Sequence, residues 1–180
     1  AYVWIGQRAG SGAQLAQQVY PALWVLYTAY RYQWDAMTVG ITLAVSGVLS
    51  MLAQTFLVEP IVNRIGERMA LLVGFSAIAL AFVICGWAPN QYWFLLAMPV
   101  GTLASIAGPA VSSMLTSRVS ADKQGQLQGA NAAIISLAGL VGPLVFAGSF
   151  AFFLPPERGL PMPGMPFYLA AFLMAAAVWL

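Results

Sequence analysis

Histidine is absent from this chain of 180 residues, and Cys85 is its single thiol. These two shortages exclude a disulfide framework and an ordinary zinc site, which needs several thiolate or imidazole ligands. They also exclude Ser-His and Cys-His nucleophilic catalysis, because the base is missing. Without a nucleophile–base pair or a metal-ligand cluster, the sequence does not read as an enzyme, and no cofactor is expected. Charge is scarce as well: 7% of residues are charged, against ~25% in a soluble domain. The net charge of +2 comes without a basic cluster, so no nucleic-acid partner is expected. Residues 1–14 hold Arg8 but no apolar run before a small-residue cleavage site, so they do not read as a signal peptide.

What is plentiful is apolar surface. Hydrophobic residues make up 61% of the chain, and mean hydropathy is +0.83. One soluble core of this size could not enclose so much of it, whereas a lipid bilayer can. Apolar runs stand near 15–32, 38–58, 69–88, 92–115, 127–153 and 165–180. Each is close to the ~20 residues a helical span needs. Their centres carry no Asp, Glu, Lys or Arg. One such charge at mid-helix costs ~2.5–3.5 kcal/mol on insertion scales, so its absence from every run is informative. The period-2 alternation of a membrane barrel is missing. The expected fold is an all-α membrane protein, a six-helix transmembrane bundle over 15–180, preceded by an atypical cytoplasmic segment over 1–14. Cys85 lies within an apolar run and reads as a small hydrophobe facing lipid or a neighbouring helix.

The polar segments orient the bundle. Arg8, Arg64, Arg68, Arg118 and Lys123 fall on one side, Arg31 and Arg158 on the other. By the positive-inside rule the first side is cytoplasmic, and so are both ends of the chain. In a bacterium the membrane would be the inner one. Tyr30, Tyr32, Trp34, Trp87, Tyr92, Trp93, Phe167 and Tyr168 gather at the outer ends of the runs, where their rings suit an interfacial belt. Within the runs small residues recur: Gly40, Ser46, Gly47 and Ser50, then Gly101, Ser105 and Gly108, then Gly139, Gly142 and Gly148. Such residues let helices approach closely in lipid. Pro99, Pro109 and Pro143 interrupt helices, and Gly108-Pro109 and Gly142-Pro143 are the expected kinks.

Two polar segments carry more than topology. The first reads Glu59-Pro60-Ile61-Val62-Asn63-Arg64-Ile65-Gly66-Glu67-Arg68. Gly66 permits a tight turn, and Glu67 then enters the next helix, where an acid suits the positive end of the helix dipole. The order Asn63, Arg64, Gly66, Glu67, Arg68 between two spans resembles the cytoplasmic signature loop of the major facilitator superfamily. The second segment runs from Ser117 and Arg118 through Gln124-Gly125-Gln126-Leu127-Gln128-Gly129 to Asn131 and then Gly139-Leu140-Val141-Gly142-Pro143. It is similar to the tetracycline/proton antiporter group of that superfamily, as are Pro21-Ala22-Leu23-Trp24, Trp34-Asp35-Ala36 and Leu52-Ala53-Gln54. The resemblance covers about residues 15–180 and implies the carboxyl-terminal six-helix half of a twelve-helix transporter, built from two inverted three-helix repeats.

The chain departs from that pattern at three places. Residues 6–12 read as a flexible polar loop where the group begins a helix. Tetracycline pumps carry an acid midway along the third helix of this half, and the register puts Ile78 there. An intramembrane carboxylate is normally kept for proton or substrate work. The sequence also stops at Leu180 within an apolar run, which reads as a fragment lacking an amino-terminal half.

The resemblance implies alternating access about a midplane site, with a lipid bilayer, a small amphiphilic substrate and the amino-terminal half as partners, and a proton gradient as energy source. Polar residues inside apolar runs are the candidates for the substrate path, because an amide facing lipid is costly. They are Gln17, Gln18, Gln54 and Asn131, with Thr102 and Ser105 beside them. Asp35 and Arg31 are expected to pair at the outer rim, and Arg64, Glu67 and Arg68 to form a charged latch. Two other readings are a facilitator of another small solute, such as a sugar or an organic anion, and a non-transporting membrane fragment.

Overall fold

The computed structural model describes residues 11–108, 123–154 and 162–179. Among them the chain is helical between short turns and holds no strand. A helical segment over 11–17 breaks at Gln18 and leads into α1 (Val19–Tyr32). The helix therefore begins earlier than the expected 15, and Ser11 and Gly12 belong to it rather than to a polar loop. α1 stops at Gln33, whose backbone turns left-handed and whose N–H returns to the carbonyls of Ala29 and Thr28. Asp35 then opens α2 (Ala36–Leu52), its carboxylate accepting from the Thr38 backbone N–H at 2.9 Å.

From Ala36 the helix continues to Trp87, 52 residues in all. At ~1.5 Å per residue it would be about 78 Å long if straight, far beyond a ~30 Å hydrocarbon core. Two irregularities divide it. Ala53–Leu57 widens into a π-helical turn, and Gly66 leaves helical geometry altogether at φ 78°, ψ 160°. The 59–68 segment is thus no open loop: it is helical up to Ile65 and again from Glu67, inside α3 (Val58–Trp87). α3 ends at Trp87, two residues before Pro89, and the Asn90 side chain caps α4 (Gln91–Thr102) by accepting from Trp93 N–H. α4 tightens past Pro99 into a 3-10 turn, Leu103–Ile106. α5 (Gln124–Phe153) starts inside the expected 116–126 loop and runs as one helix through Gly142 and Pro143. α6 is Met165–Trp179.

The core is aromatic. Tyr27 and Phe94 stack with centroids 5.7 Å apart, Phe167 meets Tyr27 edge-on at 4.9 Å, and Tyr20 leans on Phe82 at 5.1 Å. Trp34 and Phe167 are buried in this cluster, and Tyr32 packs on it. They are therefore core residues and not part of a lipid-facing belt, whereas Tyr30, Trp87, Tyr92 and Trp93 are exposed. α3 packs most extensively on α6 and α4, and α1 on α5. α2 and much of α5 turn apolar side chains outward, among them Ile41, Val48, Leu137 and Leu144.

Close approach uses fewer glycines than expected. Gly40, Gly47, Gly108, Gly139 and Gly148 face open space. Gly142 is the one in its group that lies against another helix, where the Gln18 side chain fills the room a Cβ would need.

Candidate functional site

A cleft of about 830 Å³ runs between α1, α2, α3, α4 and α5. Each helix contributes one stripe at helical spacing. α1 and the segment before it give Gln17, Tyr20, Pro21 and Trp24; α2 and the π turn give Ser46, Ser50 and Gln54. α3 gives Phe75, Ile78 and Cys85; α4 gives Phe94, Met98, Thr102 and, one turn on, Ser105; α5 gives Leu127, Asn131 and Ile134. Five of the six path candidates thus share one cavity: Gln17, Gln54, Thr102, Ser105 and Asn131. Gln18 does not line it, because its side chain is turned onto Gly142. Ser46 and Ser50 read from the sequence as packing residues, yet they share a face with Gln54. Their four-residue spacing was the signal. Tyr20, Trp24 and Phe94 also went unnamed as wall residues, hidden among many aromatics.

The hydroxyls are only partly free. Thr102 Oγ1 donates to the Pro99 carbonyl and Ser105 Oγ to the Thr102 carbonyl, both at 2.7 Å. Both carbonyls lie where α4 tightens into the 3-10 turn, and the hydroxyls bond back one turn onto it. Their oxygens still accept. Among the described residues no Asp, Glu, Lys or Arg lines the cleft, and no group of His, Cys, Asp or Glu could hold a metal ion. Ile78 lies in the wall, 5% exposed. One donor stands out. Trp24 is 6% exposed, and its indole Nε1 is buried without a hydrogen-bond partner among the described residues. Such a group costs about 1–3 kcal/mol.

Beyond the Cys85 and Phe94 end of the cleft lies a clamp. The Cys85 carbonyl has no helical partner, because position 89 is proline and lacks an N–H. Tyr27 Oη donates to that carbonyl at 2.9 Å instead. The Ala88 carbonyl receives Arg31 Nε at 3.0 Å and Tyr32 Oη at 3.2 Å, and Trp34 Nε1 donates to Gln91 Oε1 at 3.0 Å. Side chains around the end of α1 therefore finish α3, with the Arg31 cation at the negative end of its dipole. This overturns the rim pair: Arg31 serves Ala88, and Asp35 serves Thr38. Thr38 bonding holds the Asp35 carboxyl below the usual carboxylate range.

At the opposite end stand the signature residues. Asn63 and Arg64 are exposed on α3 before the break at Gly66, Glu67 is half-buried after it, and Arg68 is exposed. Gln124, Gly125, Gln126 and Gly129 form exposed first turns of α5. Arg118 and Pro109 lie outside the described residues.

The family model described as Major Facilitator Superfamily matches residues 9–180. The chain belongs to that superfamily. Its members are integral membrane transporters and not enzymes, in keeping with the apolar helices Ala36–Trp87 and Gln124–Phe153, which are long enough to cross a bilayer. Within the superfamily the chain is 40% identical over 141 residues to the class C tetracycline resistance protein of Escherichia coli, covering 77% of this chain and 35% of that protein. It is 35% identical over 169 residues to the class B tetracycline resistance protein of Escherichia coli, covering 91% and 41%. It is also 31% identical over 141 residues to the hippocampus abundant transcript 1 protein of Mus musculus, covering 77% and 28%. The chain spans about a third of the length of these curated relatives.

Proposed function

We propose that this facilitator chain is one wall of a drug-efflux antiporter that moves a small amphiphilic molecule by alternating access. The observation that carries the reading is the cleft: stripes from five helices converge on one drug-sized cavity with aromatic and amide walls and no charge among its described residues. Such a wall suits a flat, weakly charged molecule better than a sugar phosphate or an organic anion. The resistance proteins among the relatives support the same substrate class. The six apolar stretches act as spans of one bundle. The second wall comes from a six-helix partner of the kind that the remaining length of the relatives would supply.

In this reading the Gly66 end, and with it Gln17, Gln54 and Asn131, faces the cytoplasm, which the excess of Arg and Lys on that side supports. The clamp of Tyr27, Arg31 and Tyr32 then closes the outer end, so the cleft opens inward in a bacterial inner membrane. With Ile78 and no acid among the described residues of this wall, a proton drawn from the gradient is carried by a carboxylate in the partner. A facilitator of another uncharged solute is the second reading, and Ile78 is what favours it.

The test is tetracycline uptake into inverted membrane vesicles holding this chain, alone or with the amino-terminal half of the class C relative. Gradient-driven uptake with the partner is the expected result. Correctly inserted chain and partner without uptake of tetracycline would reject the drug-efflux reading.

A further inference from the structure

Trp24 stands one turn beyond Tyr20 on α1, its indole held between two rings. The Tyr20 centroid is 5.8 Å away and that of Phe94 is 5.0 Å, each ring tilted by 55° to the indole. Its own carbonyl is satisfied by Thr28 Oγ1 at 2.7 Å. Its Nε1 is the only buried side-chain polar atom among the described residues without a partner. A buried indole ordinarily reaches an acceptor, as Trp34 does with Gln91. Phenylalanine would offer the same kind of apolar surface here and leave no orphan, so packing alone does not account for the N–H.

We infer that Trp24 is a ligand-binding residue: its indole N–H, shielded from water as the ring stands, turns toward the cleft it lines to donate to an uncharged oxygen acceptor, such as a ketone, on a ring-bearing molecule there. The inference rests on the transport reading above. The wall defines the ligand class: Tyr20, Phe94 and Met98 offer flat or polarizable surface, and none of its described residues carries a charge to fix an ion.

Binding to the 180-residue chain in lipid nanodiscs, with empty nanodiscs subtracted, tests this with three probes. Tetracycline is the first. Anthraquinone is flat and uncharged with carbonyl acceptors, and anthracene has the same rings without them. The wild-type chain should prefer anthraquinone to anthracene. Trp24→Phe should weaken tetracycline and anthraquinone about fivefold, the worth of one neutral hydrogen bond, and leave anthracene unchanged. Trp34→Phe, which removes an indole outside the cleft, should alter none of the three. If Trp24→Phe keeps the preference for the ketone, the inference is wrong and the transport reading stands. If the wild-type chain binds none of the probes, both fail. Should Trp24→Phe not fold, the wild-type chain with nitrogen-labelled indoles decides. Of its 6 tryptophans, the indole signal that no substitution of the others removes must shift with anthraquinone and not with anthracene. A signal that stays still overturns the inference.

Discussion

Gly142→Ala should push α1 away from α5. A Cβ built at Gly142 lies 2.8 Å from Gln18 Cγ and closer still to Gln18 Cβ. Carbon atoms rest at ~3.5–4.0 Å, so the intrusion is about 1 Å. Gln18 cannot simply swing aside, because its Cβ is fixed by the backbone at the start of α1. The helices must part, and overpacking of this kind costs about 1–3 kcal/mol. Gly139→Ala is the matched control. It lies on the same helix, its Cβ meets nothing within 4 Å, and replacing a mid-helix glycine gains up to ~1 kcal/mol. The two substitutions should therefore move stability in opposite directions. Unfolding by dodecyl sulfate in mixed micelles, followed by far-ultraviolet circular dichroism, reads both. Equal midpoints for the two variants would refute the argument, because they share chemistry and helix and differ only in what faces them.

Gly66→Ala should cost about 1–3 kcal/mol, since φ 78°, ψ 160° is a region open essentially to glycine alone; faster trypsin cleavage between Arg64 and Arg68 would report it. Tyr27→Phe should cost a similar ~1–3 kcal/mol by leaving the Cys85 carbonyl buried without a donor, and unchanged unfolding would show that another group fills the place. The Asp35 carboxyl, held low by Thr38, stabilises the folded chain above the ordinary carboxylate range near ~4. That contribution fades as pH falls through the lower folded value. Thermal unfolding of wild type and Asp35→Asn should accordingly converge toward low pH, and a constant gap down to pH ~2 would contradict the cap.

The helices were legible because lipid imposes one requirement on every span: a long apolar run without mid-helix charge. Helix ends at Gln33, Asp35 and Asn90 followed from polar side chains between those runs. The segment around Gly66 was misjudged, because Pro60 and the cluster of charges look like a loop, whereas the helix runs on through Pro60, directly after the π turn Ala53–Leu57. The path candidates were found by polarity alone. That criterion caught Gln54 and Asn131 but could not separate Gln17 from Gln18, adjacent amides on opposite sides of a break. The clamp was invisible for another reason. Tyr27 and Cys85 are 58 positions apart, and only the missing N–H of Pro89 hinted that a carbonyl there would seek a donor.

That clamp has a mechanical side. The last carbonyls of α3 belong, in bonding terms, to α1, so the clamped ends of these two helices and the start of α4 are tied together. The loosened turns lie elsewhere: the π segment Ala53–Leu57 and the 3-10 segment Leu103–Ile106 sit toward the Gly66 end. If the cleft changes width, the lever turns about the Tyr27–Cys85 fulcrum and the travel appears at Gln54 and Ser105. Spin-label distances should then stay constant across the clamp and vary across the loosened turns.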